Sequence, residues 1–216
     1  MGNHVKYKIS NIPVVYEDEW FLVIDKPAGL LTIPSPKKDS RVLTNILNED
    51  LKRRGVSYRL HPCHRLDKET SGLIIYAKGK SSQHKMMEEF KQKRIKKTYL
   101  AFVQGLLKKN QGNIDFPIEG RPACTKYKIL QRKKDFTIVE VNPLTGRKNQ
   151  IRIHFKQIGH PLVGEDKFAF RRDFRLRSKN LCLHAKALEF RHPFTKKTLY
   201  LNSPLPMKMR DFLNKN

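Results

Sequence analysis

The run Ser71-Gly72-Leu73-Ile74-Ile75-Tyr76-Ala77-Lys78 shows no alternation of polar and apolar side chains. It therefore reads as a strand buried in a core rather than one with a solvent face. Directly ahead of it stand His61-Pro62-Cys63-His64-Arg65-Leu66-Asp67-Lys68-Glu69-Thr70, where ionisable side chains crowd together. A carboxylate at a strand edge beside an arginine can stay ionised and be aimed, as a nucleophile or base must be. Arg65 and Asp67 fit an ordinary surface pair equally well.

Around this strand short β-rich runs are mixed with helical stretches. Pro13 to Tyr16 and Trp20 to Asp25 read as two strands joined by the acidic turn Glu17-Asp18-Glu19, and Pro and Gly punctuate Lys26 to Pro34 into a bent loop. Asp39 or Ser40 can cap a short helix through Leu43, Ile46 and Leu47. Ser81-Ser82 begins a helix carrying Met86, Met87 and Phe90 on one face to about Lys93. Strands are expected over 98–103, 126–130, 136–141, 181–190 and 198–201, with helices over 150–158 and from Pro206. There is no regular βαβ alternation, repeat, linker or break in composition. The expectation is an α+β fold with a mainly antiparallel mixed sheet and flanking helices, forming a single domain over 1–216. Hydrophobic residues, 38% of the chain, supply enough material for a core.

Forty-five Lys and Arg against 20 Asp and Glu leave a net charge of +25. Such a surplus repels itself unless an anion screens it, and the commonest polyanion in a cell is nucleic acid. No apolar stretch reaches the roughly 20 residues a membrane helix needs, and the N-terminus lacks a secretory pattern. Three cysteines fit a reducing compartment better than a disulfide framework. A cytoplasmic, soluble nucleic-acid-binding protein without membrane contact is therefore expected. His61, Cys63 and His64, with Cys182 and His184, lack the paired spacing of a structural zinc site, so no metal is expected. No glycine-rich phosphate loop is present. A second cluster, Leu144-Thr145-Gly146-Arg147-Lys148-Asn149-Gln150-Ile151-Arg152, joins a tight turn to a helix start with several cations. It suits phosphate or carboxylate partners, and equally a solvated basic turn.

Asp25-Lys26-Pro27-Ala28-Gly29-Leu30, then His64 to Leu73, then Thr145 to Arg152, in that order, resemble the RluA-type pseudouridine synthases. The likeness continues through Lys97-Thr98-Tyr99-Leu100-Ala101, Gly159-His160-Pro161-Leu162-Val163-Gly164 and Leu183-His184-Ala185. It implies a bent, mainly antiparallel sheet with a central RNA-binding cleft and no metal or organic cofactor. The implied activity is isomerisation of specific uridines in rRNA or tRNA stem-loops to the C5-glycosidic isomer, by a monomer. The early Lys-Pro-Ala-Gly motif implies the minimal family form, without an N-terminal S4-like module.

Matched position by position, the resemblance makes Asp67 the catalytic carboxylate and Arg152 the arginine paired to it. Tyr99 matches the tyrosine that stacks on the uracil and can take its C5 proton. Arg65 matches the arginine that helps displace the target base, and His64 and Arg147 are assigned to substrate binding. Asn149 stands where the family commonly has His, and Gly164-Glu165-Asp166-Lys167-Phe168 where it has Gly-Asp-x-x-Tyr. The alternative class is a non-catalytic basic RNA-binding or ribosome-assembly protein on the same fold.

Overall fold

The computed structural model describes residues 7–34, 42–170 and 176–216; the expected caps Asp39 and Ser40 lie outside them. The chain divides into two compact units, Met1–Lys96 with Ala187–Ser203, and Lys97–Lys186 with Pro204–Asn216.

In the first unit β1 (Tyr7–Ile9), β2 (Ile12–Glu17), β3 (Phe21–Lys26) and β5 (Ser71–Lys78) are antiparallel neighbours in that order, and β4 (Leu60–Pro62) pairs with β5. Asp18 shapes the acidic turn after β2, its Oδ1 accepting the Trp20 and Phe21 N–H groups at 2.8 and 2.7 Å. Two helices cover this sheet. α1 (Leu43–Arg53) buries Leu43, Leu47 and Leu51, a stripe at every fourth residue, and α2 (Lys80–Lys91) buries Met86. Met87, expected on the same face, is 49% exposed. Consecutive helical residues stand about 100° apart, so the two methionines cannot both face the core. That core unites Val23, Leu73, Ile75 and Met86 with Leu188, Phe190 and Leu201. The last three come from β10 (Leu183–Arg191) and β11 (Thr198–Asn202), which pair antiparallel over 187–191 and 198–202.

In the second unit β6 (Lys96–Gln104), β9 (Phe136–Pro143), β8 (Thr125–Arg132) and β7 (Gln111–Ile114) are antiparallel neighbours in that order. Alternate side chains of β6 enter opposite cores. Ala101 and Val103 pack with Val139, Val141 and Phe155, the last from α3 (Gln150–Gln157). Leu100 and Phe102 pack with Phe136, Ile138 and Met209, the last from α4 (Met207–Lys215). Burial on both faces is why β6 reads as an unbroken apolar run. The fold is α+β, as expected, with a mostly antiparallel mixed sheet, a parallel bridge at Leu31 and Val42, and four helices among the described residues. None of those helices is long and apolar enough to cross a membrane.

Candidate active site

The loop from β4 to β5 is pinned as it leaves β4. The Cys63 N–H donates to Ile75 O at 2.9 Å, and the Ile75 N–H donates to His64 Nε2 at 3.0 Å. An accepting Nε2 makes Nδ1 the protonated nitrogen of a neutral ring, which lies 4.9 Å from the ring of Phe90. Arg65 is exposed, with no hydrogen-bond or ion-pair partner among the described residues. Asp67 is half-buried, and its carbonyl accepts the Thr70 N–H at 3.1 Å, closing a turn.

The end of β3 supports this loop. Lys26 is fully buried, and its Nζ donates to Pro27 O at 3.0 Å, Leu30 O at 2.8 Å and Lys68 O at 3.1 Å. Burial pushes its ammonium down to about 8, against the opposing pull of Glu69 and Asp67. The Gly29 N–H donates to the same Lys68 carbonyl at 2.7 Å, from a φ of +93° that side chains other than glycine's rarely tolerate. The ammonium thus holds a polar knot that tethers the residue following Asp67.

In the second unit Tyr99 lies on β6 opposite Val141 and packs partly into the core on the α3 side. Arg152 projects from α3 and is 2% exposed. Its Nε and Nη2 each donate at 2.7 Å to Glu165, reaching Oε2 and Oε1, and its guanidinium lies 5.3 Å from the Phe168 ring centre. Glu165 Oε1 also accepts the Lys167 and Phe168 N–H groups at 2.9 and 3.2 Å. The departure from Gly-Asp-x-x-Tyr therefore keeps a carboxylate and a ring, and both meet Arg152.

The basic turn before α3 is organised by Gln150. Its Oε1 accepts the Thr145 hydroxyl and the Arg147 N–H at 2.7 and 3.0 Å, and its Nε2 donates to Cys124 O and Thr125 Oγ1, both at 2.9 Å. Arg147 Nε donates to Pro122 O at 3.1 Å. Asn149 sits at the helix cap with φ 54°, a left-handed conformation that asparagine adopts at low cost.

The first unit thus carries His64, Arg65 and Asp67, and the second Tyr99, Arg147 and Arg152. Sequence reasoning missed the parts played by Lys26, Gln150 and Glu165. Glu165 was visible only as a departure from a pattern; its partner becomes evident once the burial of Arg152 is known. Among the described residues no group of three or more His, Cys, Asp or Glu is placed to hold a metal ion.

A family model described as RNA pseudouridylate synthase matches residues 20–157. The dual-specificity RNA pseudouridine synthase RluA of Pasteurella multocida is 34% identical to this chain, over 89% of the chain and 93% of that relative. The ribosomal large subunit pseudouridine synthase D of Nitrosomonas europaea is 33% identical, over 98% of the chain and 67% of that relative. Among solved structures, human RNA pseudouridylate synthase domain containing 4 has the same fold, with a TM-score of 0.81 at 24% identity over 94% of this chain and 92% of that one.

Proposed function

The chain belongs to the RNA pseudouridylate synthase family, and from that premise we propose that it isomerises uridines in structured rRNA, tRNA or both, with Asp67 as the catalytic carboxylate. The observation that carries the reading is the His64-Arg65-Leu66-Asp67 loop, whose backbone is tied down on both sides of Asp67 and which matches the family's catalytic motif. The relatives' names, one for dual specificity towards RNA and one for the large ribosomal subunit, support ribosomal RNA, and more than one RNA, as substrates.

The reaction breaks the N1–C1′ bond, turns the uracil and joins C1′ to C5; C5 then loses its proton and N1 gains one. Asp67 is assigned to the sugar, either attacking C1′ or removing the 2′ proton. The Tyr99 ring stacks on the detached base, and its oxygen takes the C5 proton. Arg152, itself gripped by Glu165, is assigned to keeping the catalytic carboxylate anionic, which an adjacent guanidinium favours. Arg65, His64 and Arg147 are assigned to the RNA, and the net charge of +25 favours phosphate contacts. The free cysteines, two of the three buried, support a reducing, cytoplasmic workplace. The reading takes the protein to act as a monomer, which light scattering checks.

Release of tritium from RNA labelled at uridine C5 tests the proposal. Wild-type protein should release it, whereas Asp67→Asn should bind the same RNA without release. RNA binding by a wild-type protein that releases no tritium would favour the non-catalytic reading.

A further inference from the structure

We propose that Thr32 is a positioning residue for Asp67, its buried hydroxyl gripping both backbone polar groups of Leu66 and so directing the carboxylate that follows. The inference rests on the assignment of Asp67 as the catalytic carboxylate. Thr32 lies in the loop after β3, and its Oγ1 donates to Leu66 O at 3.0 Å while accepting the Leu66 N–H at 3.2 Å. A hydroxyl has one proton to give and lone pairs to receive, so both bonds form together. Both partners are buried, where an unmade hydrogen bond is costly.

The consequence for Asp67 follows from peptide geometry. The Leu66 carbonyl and the Asp67 nitrogen share one planar unit, so holding that carbonyl fixes the plane from which the Asp67 Cα departs. On the other side the Lys68 carbonyl is held by Lys26 Nζ and the Gly29 N–H. Asp67 is thus clamped before and after, and its side chain inherits a fixed base.

Thr32 is itself anchored. Its carbonyl accepts the Thr44 hydroxyl at 2.6 Å and the Thr44 N–H at 3.3 Å, at the start of α1. Thr44 has then spent its hydroxyl proton, so the Tyr76 hydroxyl on β5, 3.1 Å away, is the donor of the next bond. Burial raises the pKa of Tyr76 and keeps that proton in place. A chain of hydrogen bonds therefore runs from β5 through α1 and Thr32 to the residue before Asp67. Being buried, Thr32 can influence turnover only through this backbone.

The test compares Thr32→Val, which keeps volume without the hydroxyl, Thr32→Ala, which cannot overpack, and Thr32→Ser, which keeps the hydroxyl. Single-turnover rate, RNA affinity and thermal melting are measured for each. Displacement of a reacting group by an ångström can cost on the order of a hundredfold in rate. The Val and Ala variants should therefore lose at least about tenfold in rate with affinity within about twofold, and Ser should recover most of the rate. Wild-type rates in Val and Ala, or failure of Ser to recover the rate, would overturn the inference while leaving the enzymatic reading intact. Loss of the fold in both Val and Ala would assign Thr32 to stability and also overturn it. A wild-type protein that binds RNA but releases no tritium would overturn the enzymatic reading, and this inference with it.

Discussion

Arg152 and Glu165 meet in a two-point fork, Nε to Oε2 and Nη2 to Oε1 at 2.7 Å each, with only 2% and 1% of the two residues exposed. Removing one charge of such a buried pair leaves the other poorly solvated, at a cost of up to about 3–5 kcal/mol, part of which Asp166, 3.6 Å from Arg152 Nη2, offsets. Glu165→Gln should therefore lose part of that stability in urea denaturation. Glu165→Asp, which keeps the charge on a shorter stem, should lose clearly less. Equal losses in the two variants would mean that chain length, not charge, is what Arg152 requires.

The residue before Glu165 fixes where this carboxylate stands. Gly164 has a φ of +78°, and a Cβ added there would lie 2.0 Å from the Asn180 carbonyl oxygen. Backbone cannot swing aside as a side chain can, so Gly164→Ala must shift the segment carrying Glu165. The strained conformation alone costs about 1–3 kcal/mol. Gly164→Ala should therefore unfold at lower urea and also turn over more slowly. An alanine variant with wild-type stability would show that the turn relaxes without cost.

How much of this was legible in sequence depends on where each signal lay. β5 and β6 are buried on both faces, so their composition announces them. Gln111–Ile114 does not: Gln111 and Asn113 are exposed, and the segment is a strand because β8 supplies its ladder. Within the candidate site, Asp67, Tyr99 and Arg152 stood in recognisable motifs. The role of Lys26 was invisible, because its three acceptors come from residues 27, 30 and 68 and converge only once two loops fold together. Glu165 lies 13 positions beyond Arg152 with no periodicity connecting the two. Tertiary placement alone makes them partners.

Acid should loosen the first unit through Asp18. Its carboxyl is pushed up by burial, but hydrogen bonds from Tyr16, Phe21 and Trp20, with the nearby His192, bring it net below the ordinary 3.8. His192 accepts the Phe194 and Thr195 N–H groups on Nδ1, so its Nε2 faces Asp18 Oδ2, at 2.9 Å, as the protonated nitrogen. A carboxyl whose folded pKa is depressed stabilises the protein above the unfolded value, and that stability is lost as pH falls through the folded one. Asp18→Asn should be less stable than wild type at about pH 7, and the gap should narrow at about pH 3. Urea midpoints at both pH values check this; a constant gap would remove Asp18 from the acid response.

Arg65 offers the sharpest division between binding and base extrusion. It is exposed on the loop that carries Asp67, without an ion-pair or hydrogen-bond partner among the described residues, so nothing there ties its guanidinium to the protein. A cation that merely neutralises a phosphate should contribute to affinity alike on every substrate. Losing it should reduce the salt slope of binding by about 0.7–0.9. A cation that takes the place of the target base in the stack acts differently, because extrusion costs a few kcal/mol for a paired uridine and least for one already unpaired. Arg65→Ala should therefore slow turnover strongly on a stem-loop whose target uridine is paired, and weakly on the same stem-loop with that uridine bulged. Lys133→Ala and Lys134→Ala, on the basic turn between β8 and β9 where Lys133 is half-buried and Lys134 exposed, serve as the phosphate-only comparison and should not discriminate the two substrates. If Arg65→Ala impairs both substrates equally, its part lies in general binding or in the chemistry, and base extrusion falls to another residue.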